Sequence, residues 1–262
     1  MRKRPVKFGD KHKMKIMYIG DPHGDLEKVR EIPLTGIDAI VLNGDLGKAD
    51  IARKQKLTNI SRTKQGLPEI NYTPGERKEA FMESYNTGIE LVKYLSKFAP
   101  VYTIYGNVEN INSRELTDKL SQETGCKLPF LEEELNRLGV KTFNDKIIQL
   151  DKLRIGGIEY FTDTKENEVK AQEMLKEFGK LDLLVCHQPP YGVLDKLNNP
   201  GLPKELNGKN VGSKAILEYI QSNQPRYVCC GHVHEGEGEQ NIDKTKVHNL
   251  GLGGYKLLEF KL

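Results

Sequence analysis

Acids, amides and histidines recur along this chain at spacings that could hold cations. Asp21 and His23 form a D-x-H pair inside Gly20-Asp21-Pro22-His23-Gly24-Asp25, and Gly44-Asp45 and Gly106-Asn107 follow. His187 then precedes Gln188-Pro189-Pro190, and Gly231-His232-Val233-His234 sets two imidazoles at i and i+2. Carboxylate, carboxamide and imidazole donors without thiolate suit Mn²⁺, Fe, Zn²⁺ or Ni²⁺ better than a Cys-rich structural zinc site. Taken singly, each has an ordinary reading: a D-x-H is a turn, and an Asn after Gly tolerates left-handed backbone. Two imidazoles at i and i+2 in an extended or turning segment rarely serve packing. Four of the six histidines fall in this set, whereas His12 sits in a basic tail and His248 inside an expected late strand, where structural roles are the better reading.

Short apolar runs end where these motifs begin. Lys15 to Gly20, Asp38 to Asn43, Val101 to Tyr105, Leu181 to Cys186 and Arg226 to Cys230 read as buried strands. Between them, 78–98, 130–138, 166–178 and 213–222 carry apolar residues at helical spacing. Strand and helix alternate, which predicts an α/β sheet. The carboxyl ends of strands in such sheets line one rim, so five separate segments can build one pocket. Val140 to Phe161 has a hairpin-like pattern and Thr245 to Leu262 reads as two closing strands, so a second, partly antiparallel sheet is expected. The stretch 48–77 is polar, basic and poor in periodic apolar positions, and is read as an inserted loop or lid after the second strand.

With 262 residues, one sizeable core is possible, and the chain is read as a single domain over 1–262 with a basic tail at 1–12. Lys and Arg total 40 against 37 for Asp and Glu, so a net charge of +3 gives no broad footprint for nucleic acid or anionic membrane. None of the four cysteines, Cys126, Cys186, Cys229 and Cys230, forms a C-x-x-C pair. Reduced thiols in a cytoplasm fit best. The run Ile16 to Ile19 is too short for a signal h-region, and no window reaches membrane-spanning length.

As an ordered set, these motifs closely resemble the signature of the calcineurin-like metallophosphoesterase superfamily, which runs D-x-H, G-D, G-N, H and G-H-x-H. The segments around His187-Gln188-Pro189-Pro190, Asp195, Gly212-Ser213 and Gln224-Pro225 look like a small archaeal and bacterial branch of it. The resemblance implies two mixed β-sheets packed as a sandwich and flanked by helices, an αββα arrangement. By position it assigns Asp21, His23, Asp45 and His234 to one ion, and Asp45, Asn107, His187 and His232 to the other. Asp45 would bridge, and Asp45, Asn107 and His187 would be the catalytic residues. Two divalent ions, Mn²⁺ foremost, roughly 3.5 to 4 Å apart would then activate a bridging hydroxide for in-line attack on phosphorus. Asp25 would either orient His23 or cap a helix.

Many members carry His directly after the Asn ligand, and this chain has Val108. An aliphatic side chain donates no proton, and the resemblance to small members that lack this His and act as phosphodiesterases implies a phosphodiester or nucleotide-type ester as substrate, in preference to a simple monoester. His248 is a conceivable substitute donor that no sequence feature places in the pocket. Two further readings are a DNA or RNA nuclease with a similar site, which basic residues at 53–64 would serve, and a non-catalytic protein-binding scaffold of the same fold. Every ligand position is filled by a competent residue, which favours the enzyme. The expected partner is a small phosphorylated substrate; nucleic acid is not favoured, no membrane is implied, and a homo-oligomer is possible.

Overall fold

The computed structural model describes residues 13–198 and 207–262, so the basic tail with His12 lies outside the described residues. In chain order the strands are β1 (Lys13–Ile19), β2 (Ala39–Leu42), β3 (Val101–Thr103), β4 (Lys141–Thr142), β5 (Lys146–Leu150), β6 (Leu153–Ile158), β7 (Leu183–Cys186), β8 (Tyr227–Cys230), β9 (Gly238–Ile242), β10 (Thr245–Asn249) and β11 (Tyr255–Lys261). They form a five-stranded sheet, β11-β1-β2-β3-β4, and a six-stranded sheet, β5-β6-β7-β8-β10-β9. In the first, β1 to β4 are parallel and β11 runs antiparallel against β1. In the second, β6, β7, β8 and β10 are parallel, while β5 and β9 are antiparallel edges.

Alternation along each strand sorts the side chains into layers. Ile16, Tyr18, Ala39 and Val41 face inward with Ile155, Val185, Cys229 and Phe260, filling the space between the two sheets. Their neighbours Met17, Ile19, Ile40 and Leu42 face the other way, against Leu91, Val92 and Leu95 of α3 (Pro74–Leu95) and Leu131 and Leu135 of α5 (Leu131–Arg137). On the far side, Leu184, Val228 and Cys230 pack on Ala171 and Leu175 of α6 (Lys165–Phe178) and Ile216 and Ile220 of α7 (Lys214–Asn223). The result is the expected αββα sandwich.

Some details differ from expectation. The two closing strands do not pair with each other; β10 belongs to the second sheet and β11 returns to edge the first. Helix α3 starts four residues earlier than its apolar period, because Thr73 and Glu76 make a reciprocal capping box and Pro74 stands at its first position. Within 48–77 the chain is largely helical, not a loop: α2 spans Asp50–Lys64 with none of its residues buried. Its Ala, Lys, Gln, Arg and Leu content is strongly helix-forming, so intrinsic propensity produces a helix that hydrophobic periodicity cannot reveal. The Ile51 amide donates to the Glu83 carboxylate at 2.9 Å, and Asn59 bonds both ways to Ile70, which ties α2 and its return to the body.

Phe143 has no solvent exposure and stands in the inter-sheet core, whereas Leu57 on α2 is 46% exposed. Phe143→Ala should therefore cost about 3–5 kcal/mol in urea unfolding, against under about 0.5 kcal/mol for Leu57→Ala. Equal losses at the two positions would contradict this layering.

Candidate metal centre

The parallel strands of both sheets end on one rim, and the candidate donors sit just beyond them. Asp21 and His23 follow β1, Asp45 follows β2, Asn107 follows β3, His187 follows β7, and His232 and His234 follow β8. Asp21, Asp45 and His187 are at most 2% exposed. Four of the seven, Asp21, His23, Asp45 and His232, hold positive φ of 30°, 42°, 50° and 66°. Non-glycine residues there cost of order 1 kcal/mol or more each, and such conformations gather at functional sites.

Two glycines permit the convergence. Gly44 has φ +96°, and a Cβ on it would stand 2.1 Å from the Gly106 amide nitrogen. A Cβ on Gly106 would stand 2.3 Å from Asp45 Oδ1 and 2.6 Å from His187 Cε1. The β2 and β3 ends can approach this closely only without side chains.

All seven donors come together. His23 Nε2 is 3.3 Å from Asp45 Oδ2, and His234 Nε2 is 3.2 Å from Asp21 Oδ2. His187 Nε2 lies 3.7 Å from Asp45 Oδ1 and 3.0 Å from Asn107 Oδ1, while His232 Nδ1 lies 2.8 Å from that same amide oxygen. His187 Nδ1 faces the Asn43 carbonyl at 2.9 Å and must donate its proton there, so a neutral ring turns the Nε2 lone pair towards the Asn107 oxygen. Two acceptors then face each other, an arrangement that a cation resolves. The Nε2 atom of His23 is likewise buried without a hydrogen-bond partner. Among the described residues, no group of three or more His, Cys, Asp or Glu side chains is placed so that it could hold a metal ion as it stands. Instead the donors oppose one another in pairs, and their chemistry fits oxygen- and nitrogen-seeking divalent ions.

The electrostatics carry the same signature. Burial and the neighbouring Asp21 charge push Asp45 up to about 8, whereas the imidazoles around Asp21 hold it below its ordinary value despite burial. Two carboxylates in one dry site do not both ionise unless positive charge is supplied. Burial holds His23 down to about 4 and His232 to about 3, so both present unprotonated nitrogens. Arg53 and Lys56 of α2 add positive charge that acts in the same direction on His23 and His232 respectively. Burial lowers His234, but its contact with the Asp21 carboxylate and the charges of Asp21, Asp45 and Glu235 together outweigh it, and its pKa is raised.

Several residues that build the site escaped the sequence reading. Asn43 accepts from the Asp21 amide at 3.0 Å and donates to its Oδ1 at 2.8 Å. Buried Glu109 accepts from the amides of Asp45, Leu46 and Gly106 at 2.9, 2.8 and 2.6 Å, clamping the β2 and β3 ends together. Asn249, at the end of β10, donates to the Val233 carbonyl at 2.8 Å and steadies the His232–His234 turn. Tyr160, after β6, puts its ring 5.2 Å from that of His232 and 5.7 Å from that of His187. Asn43 and Glu109 stand one and two residues from motif positions, a proximity that could have flagged them; Asn249 and Tyr160 carried no such signal.

Other expectations settle as follows. Asp25 accepts from the Lys28 amide at 3.1 Å and so caps α1 (Leu26–Arg30), the simpler of its two readings. His248 is buried in β10 beside Glu239 and Tyr227, outside the site. Cys186, Cys229 and Cys230 are buried free thiols whose pKa burial raises, so none is an activated nucleophile. Among the described residues no helix is long and apolar enough to cross a membrane.

Known proteins align with this architecture. An uncharacterized protein of Methanocaldococcus jannaschii is 24% identical over 185 residues, covering 68% of this chain and 77% of its own. One crystal structure superposes with a TM-score of 0.65 at 16% identity, covering 95% of both chains, which shows the shared fold. A structure of a putative 5'-nucleotidase from Staphylococcus aureus in complex with alpha-ketoglutarate gives a TM-score of 0.50 at 13% identity, covering 95% of this chain and 51% of that one. The family model of the calcineurin-like phosphoesterases matches residues 14–236, and the chain belongs to that family.

Proposed function

We propose that this phosphoesterase uses two divalent ions, Mn²⁺ foremost with Fe, Zn²⁺ or Ni²⁺ as alternatives, held by Asp21, His23, Asp45, Asn107, His187, His232 and His234. The observation that carries this reading is the inward set of buried polar groups: the two carboxylates, the opposed His187 Nε2 and Asn107 Oδ1, and the partnerless Nε2 of His23. Such a set is costly unless cations sit within it. A bound pair would polarise water towards hydroxide and neutralise charge on the phosphoryl oxygens. Asp45, facing both His23 and His187, stands where a bridging ligand belongs. Asn107 presents one oxygen to both His187 and His232, and His187 is held in register by the Asn43 carbonyl.

Val108 supports a diester or nucleotide-type substrate over a simple monoester. Its side chain is 3% exposed, and its amide donates to Asp45 Oδ1 at 2.8 Å, so this position orders a ligand and offers no proton to a departing alkoxide. We read α2 as a cover over the rim: with none of its residues fully buried, it brings Arg53 and Lys56 close enough to bias His23 and His232, and both suit an anionic substrate. The buried free thiols fit a cytoplasmic setting.

Elemental analysis of protein purified with Mn²⁺ should find about two ions per chain, and chelation or Asp45→Ala should lower ester hydrolysis by about 10³-fold or more. A chelator-resistant activity would sink the proposal. With Mn²⁺ loaded, bis-p-nitrophenyl phosphate should be cleaved faster than p-nitrophenyl phosphate; the opposite ranking would refute the inference from Val108. Because Asp45 is raised from 3.8 to about 8 in the metal-free site, ion binding must expel its proton at lower pH. Apparent Mn²⁺ affinity should thus climb between about pH 6 and 8 and flatten above, and calorimetry showing no proton release at about pH 6.5 would contradict it.

A further inference from the structure

A cavity of about 260 Å³ adjoins the metal centre and shares Gly106 and Tyr160 with it. It opens at the ends of β3 and β6, where Tyr105, Phe130 and Tyr160 supply aromatic surface. Its volume is just below the roughly 300–1,000 Å³ usual for small-molecule sites, room for one compact organic group and not for a polymer.

The charged groups on its wall are unevenly committed. Arg114 is engaged twice, bonded to Glu133 at 3.1 Å and stacked 4.2 Å above the Phe130 ring. Glu109 spends its oxygens on three backbone amides. Among the described residues, Glu132 and Glu159 remain uncommitted and face the space; burial with the nearby Asp145 charge pushes Glu159 up to about 7, so it is fully an acceptor only above that pH. Uncommitted acceptors beside aromatic faces attract a ring that carries hydrogen-bond donors, and they repel a phosphate.

Resting on the metallophosphoesterase reading above, we infer that this cavity holds the organic group of the ester, that the group is an uncharged, donor-bearing ring of nucleoside type, and that a second phosphate on it is rejected. Tyr160 links the two halves of the site, with its ring against His187 and His232 on one side and its surface in the cavity on the other. Phosphorus would sit at the metal ligands under the cations of α2, and the organic group would extend past Tyr160.

Three esters that release the same p-nitrophenolate test this on the full chain loaded with Mn²⁺: methyl p-nitrophenyl phosphate, the thymidine 5'-(p-nitrophenyl phosphate) ester, and that ester with an added 3'-phosphate. The thymidine ester should exceed the methyl ester in kcat/KM by about tenfold or more, and the 3'-phosphate should cost about tenfold. Asn110 is an exposed residue on the cavity wall, so Asn110→Trp should fill the space and bring the thymidine-to-methyl ratio to within about twofold, with metal content unchanged. The pair Glu132→Gln and Glu159→Gln should relax rejection of the 3'-phosphate. Free thymidine should raise the melting temperature of the metal-free wild type and not of Asn110→Trp. A ratio indifferent to Asn110→Trp at wild-type metal content, or an absent thymidine shift, would overturn the cavity assignment while leaving the metal site intact. No metal uptake together with no turnover of any ester would overturn the underlying metallophosphoesterase reading and this inference with it.

Discussion

The structure turns on keeping two carboxylates and four imidazoles in one dry cleft. Asp21 and Asp45 are buried between the rims of two sheets, where a lone negative charge is tolerable and a pair is not. The response of the protein alone is visible in Asp45, raised towards protonation, and in His23 and His232, held neutral by burial. Each of these tendencies raises the free energy of the empty cleft and is relieved by added positive charge. Under the proposed metal reading, burial would favour cations as much as the choice of donors does.

Holding donors at such closeness needs backbone that ordinary loops do not supply. Four site residues occupy left-handed conformations, and Gly44 and Gly106 bring two strand ends into near contact. The strain is countered locally: Glu109 gathers three amides from those strand ends, Asn43 grips Asp21 from both sides, and Asn249 fixes the turn after β8. Every one of these supports is itself within the buried rim, so each hydrogen bond is shielded from competing water. Positioning therefore comes from the dense centre of the sandwich, whereas α2 has none of its residues buried.

Much of this was legible from residue order. The strand runs were visible because buried parallel strands are continuously apolar, and their ends were marked by Gly beside a metal-capable side chain. The candidate ligand residues stood out because they occur in an order that resembles a known family, and the αββα arrangement came with that resemblance. Helix α2 was missed because no face of it is buried, so its sequence bears no periodic imprint, and the start of α3 shifted because a capping box acts at a helix end where apolar period says nothing.

What the chain determined by itself was local: the apolar period of each element, the glycines that permit close turns, and the chemical identity of seven donors. Tertiary structure alone decided which strand joins which sheet, sending β10 and β11 to different ones, and which silent residues reach the site. Glu109, Asn249 and Tyr160 look ordinary in sequence because their significance lies in partners across the fold, 64 residues distant in the case of Glu109 and Asp45. The cavity beside Tyr160 is likewise a property of converging strand ends. Separations of that kind are closed only by sheet pairing and burial, which no local pattern encodes.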